Sequence, residues 1–251
     1  MPPASSKRSQ ASLVVALETS QRLASVALRD RAGRVHEEAL SPRKRHDDDL
    51  MPAIDRMFRR AGLQSTDLRG GAVCVSIGPG GFTGLRIAIA TAKMFAEALD
   101  VRLVAVPSAL VAAESTLGSE VSGRRSEVSQ ALSALVALAC KNDTLWATRL
   151  RRKSENEEWT IEGEAGIAQA ESLDIAGAQV VLADVYFPDA ARTRAQSAGA
   201  SIIEPMFSAR ACLIVGERML ARGETTDPLR LLPAYPRQPE AVTIWEQRGK
   251  A

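Results

Sequence analysis

Gly78-Pro79-Gly80-Gly81-Phe82-Thr83-Gly84-Leu85-Arg86 is the stretch on which the fold of this chain turns. An apolar run, Ala72 to Ile77 (AVCVSI), precedes it, and an apolar-periodic run, Ile87 to Leu99, follows it. The glycines therefore sit where a buried strand becomes a helix. Residues without side chains let the backbone turn tightly or approach a second backbone closely. Such a junction can present free N–H groups to an anion or to a partner's polar atoms. It is not a Walker A loop, because no Lys-Ser or Lys-Thr pair closes it. It is not the dinucleotide fingerprint either, because the G-x-G-x-x-G spacing is broken.

Outward from this turn, the first half reads as β-β-β-α-β-α-β-α. Ser12 to Leu17, Leu23 to Arg29 and Arg34 to Leu40 form a meander of strands. Asp47 to Ala61 is a helix whose stripe is Leu50, Ile54, Met57, Phe58 and Ala61. Ala72 to Ile77 is a central strand and Thr83 to Leu99 the helix after the turn. Val101 to Val106 is the next strand, and Pro107-Ser108 opens a helix to about Ala113. The second half carries strands at 132–139, 143–151, 159–164 and 179–184, then helices at 190–199 and 208–222. The expected organisation is a disordered tail (1–11), a first lobe (12–118) and a linker or mobile loop (119–129). A second lobe (130–226) and a Pro-rich extended tail (227–251) follow. No internal repeat of fixed period is visible.

The bulk composition excludes several classes. With 45% hydrophobic and 25% charged residues, the 251-residue chain has the composition of a globular protein. Its 32 basic and 30 acidic residues leave a net charge of +2, which argues against a large nucleic-acid surface. Aromatics at 4% weaken any base-stacking platform. Cys74, Cys140 and Cys212 form no CxxC pair, and Cys74 and Cys212 read as buried thiols. With no signal segment and no apolar run long enough to span a bilayer, the expected location is the cytoplasm, without membrane attachment.

Two features bear on partners and chemistry. Gly84, Ala88, Ala92 and Ala96 recur every four residues, giving the helix a small face beside Ile87, Thr91 and Phe95. Either this face packs on the protein's own sheet, or it meets another protein while the opposite face covers the sheet. Leu85, Ile87, Ile89, Met94, Phe95 and Leu99 spread apolar character nearly all round the helix, which supports the second reading. Chemistry is thinly represented. Glu18 ends the first strand beside Thr19 and Ser20, where a carboxylate could orient a nucleotide or Mg²⁺. His46 precedes Asp47, Asp48 and Asp49, but successive acids on a helix point in different directions, so a metal site is not expected. A G-x-S-x-G elbow is absent.

GPGGFTGLR followed by IAIATAKMFAEAL resembles the signature segment of the TsaB family, which serves tRNA threonylcarbamoyladenosine biosynthesis. Gly78, Pro79, Gly80, Phe82, Thr83, Gly84, Leu85 and Arg86 match, and Gly81 stands where the family usually has serine. Leu17-Glu18-Thr19-Ser20 resembles the family's acid-Thr-Ser turn, with Glu18 in place of aspartate. His46 with Leu50 to Ile54, Val106 to Leu110, and the tail Leu232 to Arg237 are similar to further family segments. Residues 138–146 depart from a charged motif of the second lobe.

The resemblance implies two actin-like, ribonuclease H-like lobes in an α/β fold. It implies a non-catalytic partner of TsaD, which transfers the threonylcarbamoyl group to N6 of adenosine 37 in tRNA. TsaE contributes ATPase activity, tRNA is met through the complex, and self-association as a homodimer is a family property. No cofactor bound tightly by this chain alone is implied; ATP and Mg²⁺ belong to the complex. The resemblance places the partner interface on Gly84, Leu85, Ala88, Ala92 and Phe95, with Leu50 and Ile54 of the preceding helix. The alternative function is a metal- or nucleotide-dependent hydrolase or peptidase-like enzyme.

Overall fold

The computed structural model describes residues 12–41, 46–118, 132–140, 143–154 and 157–234. Its first sheet is built from β1 (Val14–Glu18), β2 (Ser25–Arg29), β3 (Val35–Ala39), β4 (Ala72–Ser76) and β5 (Arg102–Val106). The strand order is β3-β2-β1-β4-β5. The meander β1-β2-β3 is antiparallel, while β4 pairs parallel to both β1 and β5. β1 and β4 are buried at every position, as strands covered on both faces must be.

Period-two alternation divides the core in two. Val15 and Leu17 face α1 (His46–Arg60) and α2 (Phe82–Leu99), in one cluster with Leu50, Ile54, Phe58, Ala88, Ala92 and Phe95. Val14 and Ala16 face the other way, toward α3 (Ser108–Leu117).

The second sheet comprises β6 (Leu132–Ala139), β7 (Thr144–Arg152), β8 (Thr160–Gln169), β9 (Val180–Ala183) and β10 (Ser201–Ile203), in the order β10-β9-β6-β7-β8. Its pairing repeats the first sheet's: β6-β7-β8 is an antiparallel meander, and β9 lies parallel to β6 and β10. α4 (Asp189–Ser197) makes the β9-to-β10 crossover, as α2 makes the β4-to-β5 one. The chain thus uses one topology twice, although no repeat is legible in the sequence. Topology constrains where strands are buried and how they cross over, not which apolar residue fills each place. This is the α/β, two-lobed actin-like fold that the resemblance implied.

Three elements depart from the sequence reading. β8 runs to Gln169 rather than Glu164, past glycines that weaken a strand pattern. β10 has three residues, too few for periodicity to reveal. The third concerns α5 (Ala209–Ala221), which falls within the 130–226 span assigned to the second lobe. It lies on the first sheet, with Ala211, Cys212 and Val215 clustered with Ala16, Ala27, Cys74 and Val106. Gly216 lets it approach: a Cβ there would stand 2.3 Å from the Cys74 Sγ. Arg29–Glu217 at 2.5 Å, and Arg218 of α5 with Glu114 of α3 at 3.0 Å, tie this layer together. The same cluster takes in Val136, Leu138, Leu150 and Leu182 of the second sheet, so α3 and α5 share a core with both lobes.

Residues 227–234 run back over the first lobe. Thr226 bridges Leu103, Leu231 is buried, and Ala234 N–H donates to Ile77 O at 2.7 Å. The expected tail at 1–11, the linker at 119–129 and the tail beyond 234 lie outside the described residues.

Candidate functional site

The glycine turn is held from two sides. Gly78 N–H donates to Ser108 Oγ at 3.0 Å, and Ser108 N–H donates to Gly78 O at 3.0 Å. The Ser108 hydroxyl also meets that of Ser76 at 2.6 Å. On the other side stands the β1–β2 turn. Gly81 N–H donates to Ser20 O at 2.7 Å, and Thr19 Oγ1 donates to Gly84 O at 2.8 Å. At Gly80 the backbones meet so closely that a Cβ would fall 2.2 Å from Ser20 O. The turn therefore does not offer the Gly81 N–H to an external anion or partner, as the sequence suggested. The glycines let it close on the end of β1.

Glu18, expected on a polar or nucleotide side with Thr19 and Ser20, is sealed in this closure. Glu18 and Ser20 have no exposed surface. Glu18 Oε1 accepts from Ser20 N–H at 2.7 Å. Glu18 Oε2 and Ser20 Oγ are buried without a hydrogen-bond partner among the described residues. Burial raises the Glu18 carboxyl above the usual range, against the pull of Ser20 and Ser76. Thr19 and Ser20, with Gln21, Arg22, Phe82 and Thr83, line a groove at this closure.

The acidic run at the start of α1 is structural where described. Asp49 is buried, its Oδ2 accepting from Ser41 N–H at 2.6 Å and its Oδ1 pairing with Arg56 at 3.4 Å. Arg56 also reaches Glu38 at 2.8 Å, so the run helps dock α1 on β3. The side chains of His46, Asp47 and Asp48 lie outside the described residues. Among the described residues, no group of three or more His, Cys, Asp or Glu is placed to hold a metal ion. Cys74 and Cys212 are buried, as read from sequence, and burial pushes both thiols up. No helix among the described residues is long and apolar enough to cross a membrane.

The residues expected at the partner interface are not on the surface. Gly84, Leu85, Ala88, Ala92 and Phe95 are buried, as are Leu50 and Ile54. The small face of α2 packs inward, because its alanines let the helix approach α1 and the sheet. The solvent side of the same two helices carries the exposed apolar groups: Met51 on α1 (43%), Phe82 (49%) and Met94 (46%) on α2. The Arg86 guanidinium lies over the Phe82 ring at 3.6 Å. Apolar character around α2 was the sequence signal for this second face. Spacing alone did not say which face was outermost.

Solved structures share this architecture. YeaZ from Pseudomonas aeruginosa matches with a TM-score of 0.70 at 22% identity, over 89% of this chain and 99% of that one. A structure described as an uncharacterized protein with similarity to peptidase YEAZ from Pseudomonas aeruginosa matches with a TM-score of 0.70 at 23% identity, over 90% of this chain and all of that one. The family described as TsaD, tRNA N6-adenosine threonylcarbamoyltransferase, matches residues 32–145. No curated protein matches the chain in sequence. The chain shares its fold with YeaZ.

Proposed function

We propose that this chain is a non-catalytic partner subunit of the tRNA N6-threonylcarbamoyladenosine (A37) machinery, pairing with a TsaD-type transferase and activating it. The observation that carries this reading is the closed end of the first sheet. Where the fold could open a carboxylate toward a ligand, Glu18 is buried and the glycine turn is seated on Ser20. A TsaE-type ATPase and tRNA would join through the complex, with ATP and Mg²⁺ held there. The surface for the transferase is the outer side of α1 and α2, where Met51, Phe82 and Met94 present apolar area beside Arg86. Exposed apolar groups on adjoining helices favour burial against a second helical surface.

Co-purification with the TsaD-type protein of the same organism, sized by light scattering, tests the pairing. A threonylcarbamoyl-transfer assay on tRNA, with and without this chain, tests the activation. A stable complex needed for transfer supports the reading. Absence of a complex, with transfer unchanged, sinks it.

A further inference from the structure

We propose that Glu18 is a positioning residue that fastens the first turn of α2 to the end of β1 and releases it on ionisation. In its effect on pairing, this rests on the partner-subunit reading above. The geometry comes first. Glu18 Oε1 accepts Ser20 N–H at 2.7 Å, and Ser20 O in turn accepts Gly81 N–H at 2.7 Å. Gly81 is the N-cap of α2, and its carbonyl accepts Leu85 N–H at 3.1 Å. One carboxyl group thus reaches the start of α2 through two hydrogen bonds and a single intervening residue. Thr19, its direct neighbour, adds the bond to Gly84 O.

Among the described residues no ion pair reaches this carboxyl. Around it stand Ser25, its register partner on β2, Ser76 on β4, and Cys212 on α5, which is the titratable group facing it. Ser108 on α3 follows through Ser76, and α2 contributes the Gly84 carbonyl at Thr19. Every one of these is uncharged at neutral pH, and among the described residues none of the ion pairs includes Glu18. A carboxylate sealed without a counter-charge is disfavoured, and burial raises the folded carboxyl above its ordinary value.

The sign of the linkage follows. Because the folded carboxyl titrates above its ordinary value of 4.5, the closed turn is fully stable below that pH. Closure weakens as pH rises toward the folded pKa, since an opened turn releases the proton. The opening equilibrium should grow up to tenfold per pH unit across that window.

Amide hydrogen exchange on the purified full-length chain tests this, as protection factors at Gly81 and Leu85 from pH 4.5 upward. Val181 and Leu182 in the second sheet serve as references. The expected result is protection that falls with pH at Gly81 and Leu85 but not at the references. Glu18→Gln, which keeps an acceptor for Ser20 N–H and cannot ionise, should retain protection and abolish the slope. Glu18→Ala should lower protection at every pH. An unchanged slope in Glu18→Gln, or an equal slope at the references, overturns the proposal. Affinity for the TsaD-type partner should fall with pH in the wild type and not in Glu18→Gln. Because exchange is read on the lone chain, absence of binding at every pH overturns the partner reading and leaves the test of Glu18 intact.

Discussion

Two adjacent glycines should respond to substitution in opposite directions. A Cβ at Gly80 would sit 2.2 Å from Ser20 O, 2.8 Å from Ser20 Cβ and 2.9 Å from Ser20 C. These atoms cannot swing aside, because Ser20 N–H is bound to Glu18 and Ser20 O to Gly81 N–H. Gly80→Ala must therefore push the two turns apart. Overpacking of this kind costs about 1–3 kcal/mol. Stretching the Ser20–Gly81 hydrogen bond adds about 1 kcal/mol. The sum, roughly 2–4 kcal/mol, corresponds to a melting temperature lower by about 4–16 °C in a chain of this size.

At Gly81 the same Cβ meets only Ser20 O, at 3.7 Å, and φ −62°, ψ 121° suit any residue. This is the N-cap of α2, and it has no side-chain cap. Gly81→Ser supplies a cap, worth a few tenths of a kcal/mol over glycine, and restricts the unfolded chain by about 0.4–1 kcal/mol. The expected gain is about 0.5–1.5 kcal/mol. Urea denaturation of both variants, with unchanged slope, measures the two effects. A neutral Gly80→Ala, or a destabilising Gly81→Ser, would falsify the account of how the two turns close.

Three further outcomes are expected. Ala88→Glu should unfold the chain rather than only unpair it, because Ala88 is fully buried, whereas Met94→Glu should leave stability within about 0.5 kcal/mol and weaken binding to the proposed TsaD-type partner at least about tenfold; circular dichroism and titration calorimetry separate the cases. Gly216→Ala should cost about 1–3 kcal/mol against Cys74 Sγ, and a double-mutant cycle with Cys74→Ala should return part of it. Asp30 is held well below the usual carboxylate range, first by His36 and then by hydrogen bonds from Arg34 and Ala32. Its contribution is complete above its ordinary value of 3.8 and is lost as pH falls below that, so Asp30→Asn should flatten the acid limb of a denaturation series between about pH 2 and 5.

Most elements were legible because their signals are local. β4 read as a central strand from its continuous apolar run, β1 as the first strand of a meander, and α1 and α2 from their apolar periodicity. The strand-to-helix turn was legible from its glycines. Their role was not, since the nearest atom to Gly80 belongs to Ser20, sixty positions earlier in the chain. The same limit governed Glu18: a carboxylate at a strand end looks available until the β4–α2 turn closes over it.

By itself, the amino-acid sequence determined the succession of strands and helices, the apolar sides of α1 and α2, and the signature turn that points to the TsaB-like fold. The tertiary structure alone decided which side of α2 faces water, that α5 joins the first sheet, and that one topology is used twice. The physical reason is reach. Periodicity records that a face must be buried, but long-range packing chooses what buries it, and the alanines of α2 fit their own sheet and α1 closely enough to leave Phe82 and Met94 outside.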